Sequence, residues 1–215
     1  MKHSDKIIKT DPINPKKEII NRAAGIIKKG GMVVFPTRCL YGLGVDALNV
    51  RAVEKIFYVK KRSKNKPILI IIKRPSDLKR IVKSVTPAAI SIMNSIWPGK
   101  VTLIFKGKDN LPENLTGKQR TIGVRVVEHP VARALLKEVK RPITATSANI
   151  SLREGCWRIS DLDEKIIEAV DMILDAGPLE GGPGSTVVDV STPFPKLIRA
   201  GSVAEDKITK FLKVL

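Results

Sequence analysis

Between Lys16 and Lys29, Ile19, Ile20, Ala23, Ala24, Ile26 and Ile27 recur at three and four residues. That spacing predicts an amphipathic helix, closed by Gly30-Gly31. Residues 1–15 ahead of it are polar with two prolines and read as an extended lead-in. Met32 to Phe35 is a short apolar run of strand type, and Pro36 ends it because proline has no N–H to give a sheet ladder. The stretch after it, with Gly42 and Gly44, reads as a tight turn. From Asn49 the period changes, and Ala52, Val53, Ile56, Phe57 and Lys60 predict a helix capped by Asn49. It delivers Lys60, Lys61 and Arg62 at its far end.

Ile68 to Ile72 is aliphatic without alternation, the pattern of a strand buried on both faces. Residues 75–83 and 87–96 read as helices, the second with Thr86 as its cap and Pro87 in its first turn. A turn at 97–100 leads to a strand at 101–105, a loop over 107–120 and a strand at 121–126 that carries Arg125. Residues 130–139 follow as a helix with His129 in the capping position. A short strand at 142–145 runs into the small residues Thr146-Ser147-Ala148-Asn149. Ser160 with Asp163 begins an acidic helix in capping-box fashion. Strands at 171–174 and 186–190 flank the glycine-rich 177–184, and a strand at 197–199 and a helix over 205–215 close the chain. Strands alternate with helices, so the expected class is α/β, a twisted open mixed sheet with helices on its faces, in one domain over 1–215.

Charge adds to this picture. Lys and Arg number 39 against 21 Asp and Glu, a net charge of +18, which favours polyanionic partners. Eleven of the basic residues fall between Lys55 and Lys83, against Asp77 alone. Only Cys39 and Cys156 are present, with no Cys-x-x-Cys, and only His3 and His129 could join them, so neither zinc nor a disulfide framework is expected. The N-terminus lacks an apolar leader and no apolar run is long enough to span a bilayer, so a cytoplasmic protein without membrane contact is expected.

The known phosphate and nucleophile patterns fail here. Gly181-Gly182-Pro183-Gly184-Ser185-Thr186 has no lysine before the serine and a strand after it, so it is not a Walker loop. Gly42-Leu43-Gly44 lacks the third glycine of a dinucleotide fingerprint, and no Ser-His-Asp set is readable. Hydroxyls, an amide and cations remain at loop ends: Thr37, Ser147, Asn149, Ser185, Lys60, Arg62, Arg125 and Arg199. Such groups bind and orient rather than attack covalently. Taken alone, Lys60-Lys61-Arg62 is no more than a solvated helix terminus, where the dipole favours positive charge.

In order and spacing, PTRCLYGLG, KKRSKNKP, WPGKVTLI, TIGVRVVEHP, TATSANIS, GSTVVD and LIRAGSV resemble the motifs of the YrdC-like threonylcarbamoyl-AMP synthases, over roughly residues 16–203. The resemblance implies a twisted α/β sheet around a large concave basic cavity. It also implies synthesis of threonylcarbamoyl-AMP from L-threonine, bicarbonate and ATP, with release of pyrophosphate. The product would serve tRNA threonylcarbamoyl transferase proteins, which make threonylcarbamoyladenosine beside the anticodon. The family's Lys-x-Arg looks like Lys60 and Arg62, and its Ser-x-Asn like Ser147 and Asn149; these four are the implied catalytic residues. Arg62, Lys66, Arg125, Asn149 and Arg199 are implied for ATP, and Thr37, Cys39, Ser147 and Ser185 for threonine. Mg²⁺ is expected on the phosphates rather than on protein carboxylates.

The chain departs from the family pattern at Arg38, where an acidic residue is usual, at Cys39, where a threonine is usual, and at Ile71 and Ser151-Leu152. These positions bear on the amino acid more than on ATP. They sustain a second reading, a paralogous enzyme for another amino acid. A third is a binding protein for tRNA or double-stranded RNA without this activity. No second C-terminal domain is expected within 1–215.

Overall fold

In a computed structural model that describes residues 4–64, 66–204 and 208, Asn49 accepts the Ala52 amide at 3.1 Å. The cap therefore starts α2 (Val50–Val59) where the sequence predicts it. Thr86 does the same for α3 (Pro87–Ile96), accepting from Ala89 N at 3.1 Å, and His129 for α5 (Pro130–Val139), accepting from Val131 N at 3.3 Å. Helix α1 (Lys17–Lys28) buries Ile20, Ala23, Ala24 and Ile27 with Val131, Leu135 and Leu136 of α5. Burying each of the isoleucine, valine and leucine side chains contributes roughly 1.5–3 kcal/mol.

The sheet is divided in two. One has the order β1 (Ile7–Lys9), β9 (Met172–Asp175), β2 (Val33–Pro36), β3 (Tyr41–Gly44), β8 (Thr146–Ser147). The other runs β11 (Lys196–Arg199), β10 (Thr186–Asp189), β5 (Val101–Lys106), β6 (Thr121–Val126), β4 (Ile70–Ile72), β7 (Ile143–Thr144). Both are mixed: β1, β9 and β2 pair in parallel while β2 and β3 form a hairpin, and β10 joins β5 in parallel while β5 and β6 are antiparallel. Period two then sorts the six-stranded sheet into faces. Val101, Leu103 and Phe105 of β5 and Ile122, Val124 and Val126 of β6 enter a large apolar cluster. Their alternates Thr102, Ile104, Thr121, Gly123 and Arg125 face the cavity described below.

Several boundaries differ from the sequence reading, each for a tertiary reason. The lead-in contains β1, whose ladder partner β9 lies far along the chain. Pro36 stays in its strand, paired with Tyr41 at the hairpin end. Residues 41–44 are a strand rather than a turn. Their glycines admit close packing: a Cβ on Gly44 would lie 2.5 Å from the Phe35 ring and 2.9 Å from Ile143. Pro75–Arg80 is a 3₁₀ helix, and the expected loop over 107–120 holds the short α4 (Glu113–Thr116). The acidic helix α6 (Glu164–Ala169) is capped by Asp163, which accepts from Lys165 N at 3.0 Å, not by Ser160. The helix expected over 205–215 lies outside the described residues, Ile208 apart. Among the described residues no helix is long and apolar enough to cross a membrane.

Candidate functional site

A cavity of about 720 Å³ opens between one face of the six-stranded sheet and the β3–β8 edge of the other. Thr37, Cys39, Arg62, Arg125, Ser147, Asn149, Ser185 and Arg199 all line it. Lys66 lines an adjoining recess of about 340 Å³, which shares Arg62, Ser147 and Asn149 with the larger cavity. The loop ends singled out by residue type thus converge on one place.

Arg62 follows α2, and its guanidinium folds onto its own loop. Nε donates to the Lys66 carbonyl at 3.0 Å and Nη2 to the Pro67 carbonyl at 2.8 Å, which fixes the guanidinium at the cavity edge. Burial, then the charge of Arg199, lowers its pKa. Arg199 is exposed along β11, yet its guanidinium turns inward and donates to the Ser185 carbonyl at 2.6 Å and to Ser185 Oγ at 3.3 Å. Ser185 Oγ lies 2.9 Å from Thr102 Oγ1 on β5. These contacts fix a cation and two hydroxyls on the cavity wall.

Arg125 sits on β6 beside Ile71 of β4 and is only 9% exposed. Its buried Nε has no hydrogen-bond partner among the described residues. Burial lowers its pKa, with Cys39, Glu128 and Arg199 near enough to act on it. A buried guanidinium with an open N–H is a costly group for a fold to carry. A ligand anion would satisfy it.

Lys60 corrects the sequence reading. The sequence predicts a solvent-facing ammonium at the end of α2, but the residue is 1% exposed and lies beneath the 147–149 loop. Its ammonium donates to the Ser147 carbonyl, to the Asn149 carbonyl at 2.5 Å and to Asn149 Oδ1 at 3.1 Å. Burial, then repulsion by Arg62, pushes its pKa down to about 7. Three acceptors around one nitrogen call for three N–H donors, so the loop is shaped for the ammonium. Lys60 therefore braces the loop and lines the adjoining recess rather than standing free in solvent.

Ser147 Oγ donates to Asn149 Oδ1, and Asn149 Nδ2 donates to the carbonyls of Ile150 at 3.0 Å and Arg153 at 2.5 Å. The loop is thus internally braced. In the turn after β2, Thr37 Oγ1 donates to the Leu40 carbonyl at 2.6 Å, and Cys39 Sγ lies 3.4 Å from Ser202 Oγ. The sequence reading missed Trp157, whose ring carries the Arg158 guanidinium at 3.7 Å, and the cavity-facing Thr102 and Thr121. The alternation of β5 and β6 was the signal for the two threonines. Among the described residues no group of three or more His, Cys, Asp or Glu is placed to hold a metal ion.

A family described as "Telomere recombination" (Sua5/YciO/YrdC) matches residues 25–201. The threonylcarbamoyl-AMP synthase of Pyrococcus abyssi is 34% identical over 193 residues, 90% of this chain and 57% of that protein, so the chain spans less than three fifths of it. The crystal structure of P. abyssi Sua5 complexed with L-threonine superposes with a TM-score of 0.91 at 33% identity, over 96% of this chain and 61% of that one. Escherichia coli YciO superposes with a TM-score of 0.85 at 29% identity, over 92% of this chain and 96% of that one.

Proposed function

The chain belongs to the Sua5/YciO/YrdC family, and we propose that it joins L-threonine, bicarbonate and ATP into threonylcarbamoyl-AMP, releasing pyrophosphate. The observation that carries this reading is the convergence of Arg62, Arg125 and Arg199 with Ser147, Asn149 and Ser185 on one cavity. ATP enters as its Mg²⁺ complex, the ion riding on phosphate oxygens. Arg62, Lys66, Arg125 and Arg199 meet the anionic groups, and charge-assisted contacts of this kind are the stronger hydrogen bonds. Thr37, Cys39, Ser147 and Ser185 offer small donors and acceptors for the amino acid, with Lys60 and Asn149 holding the loop between the two. The chemistry asked of the protein is placement: the amine and bicarbonate give an N-carboxylated amino acid and water, and its carbamate oxygen must sit in line with the α-phosphorus as pyrophosphate leaves. As a nucleotidyltransferase of the cytoplasm, it would hand its product to a transferase acting on tRNA.

A second reading, a paralogue taking another amino acid, is favoured by Cys39 on the cavity wall. Both are tested by incubating the protein with ATP, bicarbonate and each of several labelled amino acids. Threonylcarbamoyl-AMP detected by mass, only when threonine and bicarbonate are both present, supports the first reading. A different amino acid outcompeting threonine by a wide margin transfers support to the second. RNA binding without any adenylate product would leave the fold as a binding module.

A further inference from the structure

At the mouth of the cavity, the turn after β2 meets the glycine-rich strap between β9 and β10. Arg38, in that turn, donates from Nε to Glu180 of the strap at 2.7 Å and from Nη1 to Glu128, which follows β6. The second carboxylate oxygen of Glu180 accepts from the Lys100 ammonium at 2.7 Å, at the entry to β5. Two cations and two carboxylates from four separate segments form one chain of ion pairs, Glu128–Arg38–Glu180–Lys100, that joins both sheets. Lys100 first and Arg38 next hold the Glu180 carboxyl below the usual range. Glu128 also acts electrostatically on Arg125, so this chain of ion pairs reaches the cavity lining.

The strap is jointed. Gly177, Gly181, Gly182 and Gly184 all take positive φ, between 73° and 92°, where a side chain would strain the backbone. Its ends are pinned, with Tyr41 Oη donating to the Gly177 carbonyl at 2.6 Å and Ser202 N to the Gly184 carbonyl at 2.8 Å. Between these pins, Gly182, Pro183 and Gly184 line the cavity. Apart from the ion pairs, the strap is tied to the turn by Gly181 N on the Cys39 carbonyl at 2.9 Å, Glu180 N on the Arg38 carbonyl at 3.4 Å and the Cys39 thiol, 4.0 Å from Glu180 Oε2. The side chains of Arg38 and Glu180 are 45% and 47% exposed, and pairs so exposed are singly weak and screened by salt.

We propose that Arg38 is a positioning residue that latches the strap over the cavity through Glu180, with Glu128 and Lys100 completing the latch, and that ligand enters and leaves as this latch opens. The identity of the ligand rests on the function proposed above. The movement of the strap does not.

The test uses hydrogen exchange read by mass spectrometry on the full chain, as wild type, Arg38→Ala, Arg38→Lys and Glu180→Gln. The Arg38→Ala and Glu180→Gln chains should exchange the strap amides about tenfold faster with the core strands β5 and β6 unchanged, and Arg38→Lys should recover part of the protection. Added salt should speed the strap in wild type and do so less in Arg38→Ala, where only the Lys100–Glu180 pair remains to be screened. Release of a fluorescent ATP analogue, followed by stopped flow, should quicken several-fold in Arg38→Ala while Kd moves less. Unchanged strap exchange in Arg38→Ala, or the same salt response in both chains, overturns the latch. Faster strap exchange with unaltered release of the bound analogue overturns its gating role. Failure of the analogue to bind wild type at all sinks the ATP reading, while strap exchange still decides whether the latch holds.

Discussion

The Lys60 ammonium holds Asn149 by two of its oxygens, the backbone carbonyl at 2.5 Å and the side-chain Oδ1 at 3.1 Å. A cation that the sequence offers to phosphate is spent on organising the loop that carries Ser147. Two energetic effects oppose each other there. Removing the ammonium leaves its acceptors unpaired, at about 1–3 kcal/mol for each that water cannot reach, but also removes the cost of a buried charge. Lys60→Met is therefore expected to change global stability by only about 1 kcal/mol while lowering turnover tenfold or more. Thermal unfolding and steady-state kinetics on the same preparation check this. A large fall in melting temperature with normal turnover per folded molecule would make Lys60 a purely structural group.

The same lysine sets a pH dependence. Its pKa is brought down to about 7 from an ordinary 10.5, so the ammonium that fits the loop is present below that value and lost as pH rises through it. ATP affinity should weaken between about pH 6 and 9, and the slope should vanish in Lys60→Met. Over the interval between the two pKa values the unfolded chain holds a proton that the folded chain has lost. The contribution of Lys60 to stability therefore rises with pH across it. Weaker binding with no matching loss of fold is the expected signature, and calorimetric titration beside thermal melts at each pH reads both. An ATP affinity that climbs with pH in wild type contradicts the assignment.

Arg125 makes the opposite trade. Its guanidinium is buried on β6 with Nε unpaired among the described residues, so in the free protein it costs stability. Arg125→Met keeps most of the apolar stem and removes the charge. The variant should be about 1 kcal/mol or more stabler and should bind ligand tenfold or more weakly. A thermal melt and a binding titration decide it. A less stable Arg125→Met would mean that the guanidinium is satisfied in the free fold.

Local chemistry made much of this legible in the sequence. Asn49, Thr86 and His129 cap where their residue types and positions predict, and Arg125 lands on the strand expected for it. The convergence of Ser147, Asn149, Ser185 and Arg62 followed from loop ends gathered at one side of an α/β sheet, together with the family resemblance. What stayed hidden depends on contacts distant in sequence. Gly42 and Gly44 look like turn residues until Phe35 and Ile143 are seen to press on them. β1 is three residues long inside an otherwise polar lead-in, and it becomes a strand by pairing with the distant β9. No local signal could bury Lys60, since its cover comes from residues 147–149, some ninety positions on. The partners of Arg38, Glu128 and Glu180, are equally remote in sequence.

Cys39 is where the chain leaves its family on the cavity wall itself. Its thiol is 7% exposed and lies 3.4 Å from Ser202 Oγ and 4.0 Å from Glu180 Oε2, while the neighbouring Thr37 hydroxyl is already spent on the Leu40 carbonyl. A thiol is a weak donor, so this side of the cavity gives an amino-acid substrate little to hold. A hydroxyl in the same place contributes roughly 0.5–1.5 kcal/mol more through one good hydrogen bond. Cys39→Thr is therefore expected to lower KM for threonine several-fold. The KM for ATP should stay nearly unchanged, since Arg62, Arg199 and the Lys60-braced loop are untouched. Initial rates measured with each substrate varied in turn separate the two constants. A variant that binds threonine less well, or that loses strap protection along with affinity, would show that the thiol is fitted to another amino acid or to packing against Ser202, and would move support to the paralogue.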